Sequence, residues 1–396
     1  MRAGGGAAAP PPAAAGVGAA AAQRRGLRQP ALGAGAFAFT VGLSLAFCAL
    51  FAPATLTTWI ALFFTNAVPA MVVLDLGLHL EFPAALTRVS RPVRALLFVG
   101  LAALTSAVVS PLMLLLVGGG VTPPNPFAVL FAVQTVPVAL VLVILFRCWP
   151  LTALTKHKGA IALGTVVLTY VITWVVFRVF FDFGFLKGAP VYLERLDPKG
   201  LFSAWPSAAF VITVAALLLC FVLFDFWPLS VLTARRPALG REPVFGLLGL
   251  AVVLLVTLIV WGIPVGLVGV DPVAYLVRVP VSLIFGVFIV LTLFQGFGFR
   301  RLKQPVKGLA MTAAVIVAAA AVQMLYQAVA HLVAPAMHAG APSYERELWI
   351  ATAMLGVTFP VIVVFCGALG FWPLVPRLRG GEVPAAEAAQ IREAGR

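Results

Sequence analysis

Residues 241–268 read REPVFGLLGLAVVLLVTLIVWGIPVGLV: one basic residue, one acidic residue and a proline, then an uncharged apolar run from Val244 to Val268. A helix needs roughly 20 apolar residues to cross the hydrocarbon core of a bilayer, so this run predicts a transmembrane helix. Its prelude recurs along the chain. Basic residues, often with a proline, precede an apolar run at Arg28-Gln29-Pro30, Arg91-Pro92-Val93-Arg94, Lys156-His157-Lys158 and Lys303-Gln304-Pro305-Val306-Lys307. Each of the five runs is followed by an outer loop and then a second apolar run, interrupted or started by Pro69, Pro137, Pro206, Pro280 or Pro360.

The second runs close on related aromatic clusters. Phe146-Arg147-Cys148-Trp149-Pro150 matches Phe224-Asp225-Phe226-Trp227-Pro228 and Gly370-Phe371-Trp372-Pro373, with weaker versions at Glu81-Phe82-Pro83 and Gln295-Gly296-Phe297-Gly298-Phe299. Proline stops a helix because its ring clashes with the preceding turn and it lacks a donor, and tryptophan favours headgroup depth. Asn125-Pro126, Asp197-Pro198 and Asp271-Pro272 read as N-caps with proline in the first turn, and Ser343 as the cap of the last helix. The predicted fold is all-α and polytopic: about ten transmembrane helices built from five tandem helical hairpins, with N and C termini cytoplasmic. The spans are placed near 31–51, 57–81, 94–117, 126–147, 159–181, 198–226, 244–268, 273–297, 308–332 and 348–372.

Composition agrees. Of the 396 residues, 62% are hydrophobic and 10% charged, where a soluble domain carries about 25% charged residues. That excludes a soluble enzyme, a disordered protein and a nucleic-acid binder. The net charge of +14 follows from topology. All basic residues but Arg178, Lys187, Arg195, Lys199, Arg278 and Arg346 fall on the expected cytoplasmic side, which is the positive-inside rule. Anionic lipid headgroups are the natural contacts of those loops.

Residues 1–30 form an Ala/Gly/Pro-rich stretch expected to be a disordered cytoplasmic tail. Residues 31–376 form the ten-helix domain, and 377–396 a short cytoplasmic tail. Arg24-Arg25 before an apolar run, with Ala52-Pro53-Ala54 after it, superficially resembles a twin-arginine signal. The run is long for a signal core and belongs to the repeat, so it is expected to stay. Cys48, Cys148, Cys220 and Cys366 are scattered and make neither a disulfide framework nor a zinc motif.

Polar groups inside apolar spans are costly and are functional candidates by default. Asp75 and His79 stand four apart in the second span, with Glu81 just below. A carboxylate beside an imidazole relays protons, and the three residues are also the weak candidates for a metal. Gln323, Gln327 and His331 make a stripe at i, i+4 and i+8 in the ninth span. Such a stripe faces protein or water rather than lipid: it lines a substrate path with His338, Glu345 and Glu347 at its mouth, or it binds a neighbouring helix. Asn66 and Gln134 each precede a mid-helix proline by three residues, a pattern that fits a broken-helix substrate site or ordinary packing. Arg178 with Asp182 reads as an interfacial ion pair, and Arg147 with Asp225 as a rim gate or as snorkelling side chains.

No Walker loop, G-x-S-x-G elbow or H-E-x-x-H is present, and four scattered histidines make a bis-histidine haem hard to build. No catalytic residue and no cofactor is predicted. The leading expectation is a multi-pass transporter or permease of the inner (cytoplasmic) membrane, moving a small solute with proton coupling as an option. The alternatives are a membrane-embedded subunit of an enzyme or of a redox or metal-handling complex, and a non-catalytic membrane anchor. Expected partners are the lipid bilayer, a small-molecule solute, and a second copy or partner membrane subunit, with no nucleic acid.

Overall fold

The computed structural model describes residues 27–81, 83, 85–341 and 343–375. The two expected tails lie outside these residues, apart from 27–30. The described residues are mostly helical with almost no sheet, and ten helices among them are long and apolar enough to span a membrane. They are α1 (Ala31–Ala49), α2 (Pro53–Gly77), α3 (Arg91–Leu116), α4 (Pro126–Leu145) and α5 (Lys158–Phe180), then α6 (Ala204–Leu223), α7 (Val244–Leu267), α8 (Pro272–Leu293), α9 (Val306–Val333) and α10 (Glu345–Ala368). Helices are the natural solution for such a sequence, because in hydrocarbon every backbone donor and acceptor must be satisfied within the segment.

The helices sort into two concentric rings. In each even-numbered helix 61–72% of the apolar window is buried, against 17–39% in the odd-numbered ones. The inner ring runs α2, α4, α6, α8, α10 and closes back on α2. Each outer helix covers a seam of that ring: α3 lies on α2 and α10, α5 on α4 and α2, α7 on α6 and α4, α9 on α8 and α6, and α1 on α10 and α8.

Every inner helix ends in two consecutive left-handed residues, at His79-Leu80, Arg147-Cys148, Asp225-Phe226, Gln295-Gly296 and Gly370-Phe371. These reverse the chain and let late amides reach back to orphan carbonyls, as in Leu80 N to Leu74 O (2.8 Å) and Cys148 N to Leu142 O (2.9 Å). The expectation that Pro150, Pro228 and Pro373 stop the helices is therefore corrected: the left-handed pair acts first, and Pro150 and Pro228 open the short helices Leu151–Leu154 and Leu229–Arg235.

At this end, which carries most of the described basic residues and is called the basic end here, each inner helix is tied to the start of the helix three places further on, counting round from α10 to α1. Glu81 pairs with Lys158 and Arg147 with Glu242 (3.8 Å). Asp225 pairs with Lys307 (2.9 Å), the Gln29 amide donates to Leu293 O (2.9 Å), and Arg91 donates to Gly370 O (3.3 Å). Three of the five joints share a steric lock. Gly33, Gly246 and Gly308 lie so near the rings of Phe294, Phe146 and Phe224 that an added Cβ would come within 2.7, 2.6 and 2.3 Å of them. In each, the side chain four residues earlier (Gln29, Glu242 or Gln304) accepts the glycine N–H at 3.0–3.3 Å.

Some helix starts differ from expectation. Asn125 and Asp271 cap α4 and α8 through their side chains, but Asp197 does not cap α6, which starts at Ala204. Its carboxylate is taken up by the connecting loop, accepting from Phe183 N (3.1 Å), Lys199 N (3.0 Å) and the Tyr192 hydroxyl (2.9 Å). That loop also holds a parallel pairing of Phe181–Asp182 with Phe202–Ser203. Nor does Ser343 cap α10: Tyr344, at φ 51°, occupies the cap position.

Candidate functional site at the ends of α8, α9 and α10 opposite the basic end

Gln323, Gln327 and His331 lie on one face of α9, and at the end opposite the basic one that face borders a cavity of about 240 Å³. The other walls are Val277 and Arg278 of α8, Ala339 of the following loop, and Arg346, Glu347 and Ile350 of α10. A polar face of this kind is stable only where protein or water satisfies it. Gln323, the deepest, is buried and has its Oε1 2.9 Å from the Ser282 hydroxyl. Gln327 is half-buried and makes no hydrogen bond among the described residues.

The loop above the cavity is strapped to the start of α10. Arg346 places Nη1 3.3 Å from His331 Nε2 and donates from Nη2 to Met337 O (3.0 Å), while its Nε is buried without a partner. Both Glu347 oxygens accept Gly340 N, at 3.2 and 3.1 Å. Glu345 accepts His338 N at 3.1 Å. The Tyr344 hydroxyl donates to Asp271 Oδ2 at 2.6 Å, joining this loop to the cap of α8. Burial, reinforced by that carboxylate, pushes the Tyr344 phenol up to about 12.

Arg278 lies in α8, roughly 9 Å along the helix from its start at 1.5 Å per residue. No carboxylate among the described residues comes within 4.0 Å of it. Arg278 is exposed, and a charged side chain within a spanning helix is a functional candidate by default. Neither Arg278 nor Arg346 was singled out from the sequence as a site residue. The available signal was a lone charge within the eighth apolar run.

The other candidate residues are dispersed. Asn66 is fully buried and knits helices together: its Nδ2 donates to Ser110 Oγ of α3 (3.1 Å), and the Tyr170 hydroxyl of α5 donates to its carbonyl (3.1 Å). Gln134 is also fully buried, but neither of its amide atoms finds a partner. Such orphaned groups cost about 1–3 kcal/mol of desolvation. Asp75 sits in the π-helical last turn of α2, against Gly367 of α10, where a Cβ would meet its Oδ1 at 2.8 Å. His79 lies beyond the helix end, exposed and left-handed. The expected shared face of Asp75 and His79 is thus broken by the reversal of the chain. Glu81 is drawn to Lys158, whose ammonium holds its carboxyl below the usual range. No group of three or more metal-ligating side chains forms among the described residues, so Asp75, His79 and Glu81 make no cluster.

The two expected pairs do not form. Arg147 meets Glu242 and stacks over the Phe245 ring at 5.0 Å, while Asp225 is taken by Lys307 and Gln304. The seams of the ring bring each of these residues to an outer helix rather than to the other. Arg178 stacks on Trp174 at 5.9 Å, and Asp182 accepts Gly184 N at 3.2 Å, because α5 ends at Phe180 and the helical spacing is lost.

The chain matches no protein-family model, no curated protein and no solved structure.

Proposed function

We propose that this chain is a multi-pass transporter or permease of the inner membrane that takes a small solute from the outer face. The observation that carries the reading is the cavity bordered by Gln323, Gln327, His331 and Arg346, which starts at the last turn of α9 and the first of α10 and reaches inward to the buried Gln323. A polar helix face that runs from the helix end to a buried side chain suits a substrate path. The topology proposed with it has five tandem hairpins and both termini in the cytoplasm. It is supported by the even–odd alternation of the rings, the five left-handed helix ends and the gathering of basic residues at one end. Proton coupling would fall to Asp75, the carboxylate in the last turn of α2.

Reconstituted vesicles test the reading. The purified chain is screened against amino acids, sugars, carboxylates and phosphate by thermal stabilisation, and stabilising solutes are then followed into vesicles. Uptake that fails with Gln327→Leu while the variant inserts and unfolds normally supports the assignment. Full uptake by Gln327→Leu and Asp75→Asn refutes the path.

A further inference from the structure

Arg278 borders two cavities at once. One is the polar cavity of α8, α9 and α10. The other, about 320 Å³, is walled by Val260, Pro264 and Val270 from α7 and the loop after it, and by Ala274, Tyr275 and Val279 of α8. Its polar atom, the Tyr275 hydroxyl, is engaged with Thr213 and Val260 O, each at 3.3 Å. The guanidinium therefore stands where an apolar groove meets a chamber of hydrogen-bond donors.

The chamber favours an anion. Two guanidinium groups, Arg278 and Arg346, face one carboxylate, Glu347. That carboxylate is already occupied by the Gly340 amide. Arg346 is held by His331 and Met337 O with its Nε left without a partner, and the half-buried Gln327 makes no hydrogen bond among the described residues. A volume of about 240 Å³ is below the roughly 300–1,000 Å³ that houses a whole drug-sized ligand. It holds a headgroup, and the groove beside it takes hydrocarbon.

We propose that the two cavities together hold one anionic amphiphile: its phosphate headgroup lies between Arg278, Arg346 and Gln327, and an acyl chain runs along Pro264, Val270, Ala274 and Val279. The inference gives the proposed permease site an anionic amphiphile in place of a water-soluble solute, and so rests on the reading of that cavity as the ligand's place. Guanidinium suits phosphate because its planar fork of donors matches two oxygens.

The test is native mass spectrometry of the full chain in mild detergent with phosphatidylglycerol, phosphatidylethanolamine and phosphatidylcholine of identical chains, and with inorganic phosphate. The expected result is about tenfold tighter retention of phosphatidylglycerol than of either zwitterion, equivalent to about 1.4 kcal/mol. Arg278→Gln brings the three to parity, while Arg278→Lys keeps part of the preference and so shows that the fold survives. Ala274→Phe fills the groove without changing a charge and lowers retention of all three lipids. Equal retention of the three lipids by the unaltered protein overturns the proposal, as does a preference that persists in Arg278→Gln. Stabilisation by inorganic phosphate that matches phosphatidylglycerol and is indifferent to Ala274→Phe also overturns it, in favour of a soluble anion, and leaves the permease reading intact. Arg278-dependent binding without passage of fluorescent phosphatidylglycerol across reconstituted vesicles supports the binding site and removes the permease reading instead.

Discussion

At the basic end each inner helix is tied to an outer one by an ion pair or a side-chain hydrogen bond to a main-chain carbonyl, and three glycines let aromatic rings close the seams. At the opposite end α8, α9 and α10 surround a cavity lined by polar side chains, closed over by a loop that hydrogen-bonds to the start of α10 and crossed by the contact of Arg346 with His331. The same helices thus contribute a tight joint at one end and a chamber at the other. Packing at the first is set by steric fit, so it tolerates little change in volume. The second is held by hydrogen bonds between loop and helix, which are weaker and open more easily.

The largest expected effect is at the tight end. Gly308→Val pushes a branched side chain into the Phe224 ring, where even a Cβ has only 2.3 Å. Overpacking of this kind costs about 1–3 kcal/mol, read as a fall in thermal or detergent-induced unfolding midpoint. Gly42→Val, with nothing within 4 Å of its Cβ, is the control and should leave the midpoint close to the parent's. If the two variants behave alike, the joints do not hold the ring.

The ten apolar runs of the sequence appear as ten helices, but their sorting into an inner and an outer ring shows only in the packing. Long uniform apolar runs leave little room for any other structure in hydrocarbon. The helix ends were less legible. Arg147-Cys148 and Asp225-Phe226 adopt left-handed conformations without the glycine that usually announces them, and Pro150 and Pro228 stand two residues further on as the more visible stop signal. The Gln/Glu-Pro-x-x-Gly signature at Gln29, Glu242 and Gln304 was present in the text of the chain but gains meaning only beside Phe294, Phe146 and Phe224, which lie far away in sequence. For the site, the α9 stripe was readable from helical spacing. Arg278 and Arg346 were not, because their convergence with it depends on how α8 and α10 seat against α9.

At the open end, Gln327→Leu should lower transport about tenfold, or about 1.4 kcal/mol in free energy, with the unfolding midpoint unchanged. A parallel loss of midpoint would recast Gln327 as packing. Tyr344→Phe removes the hydroxyl that donates to Asp271 at 2.6 Å, a loss of about 0.5–1.5 kcal/mol. It should also quicken hydrogen exchange in the loop before α10, without touching the basic end.

The smallest effect returns to the basic end. Lys158→Ala breaks an exposed pair with Glu81, worth about 0–1 kcal/mol. Because Lys158 depresses the folded-state carboxyl of Glu81, this contribution is present above the ordinary carboxylate range and is lost as pH falls through the lowered value. The difference in midpoint between parent and variant should therefore be visible at pH 7 and vanish in acid. A difference that grew on acidification would contradict the pairing.

The most direct test of the chamber at the end opposite the basic one is chemical accessibility. Cys48, Cys148, Cys220 and Cys366 are first replaced by serine or alanine, and single cysteines are placed at Gln327 and at Gln134, the latter buried without a partner in α4. Sealed right-side-out vesicles are then treated with a membrane-impermeant maleimide. The account predicts rapid labelling of Gln327→Cys from the outer face, slowed by bound ligand, and no labelling of Gln134→Cys. Protection of Gln327→Cys from outside, or its labelling only after the vesicles are opened, would contradict an outward-facing chamber between α8, α9 and α10.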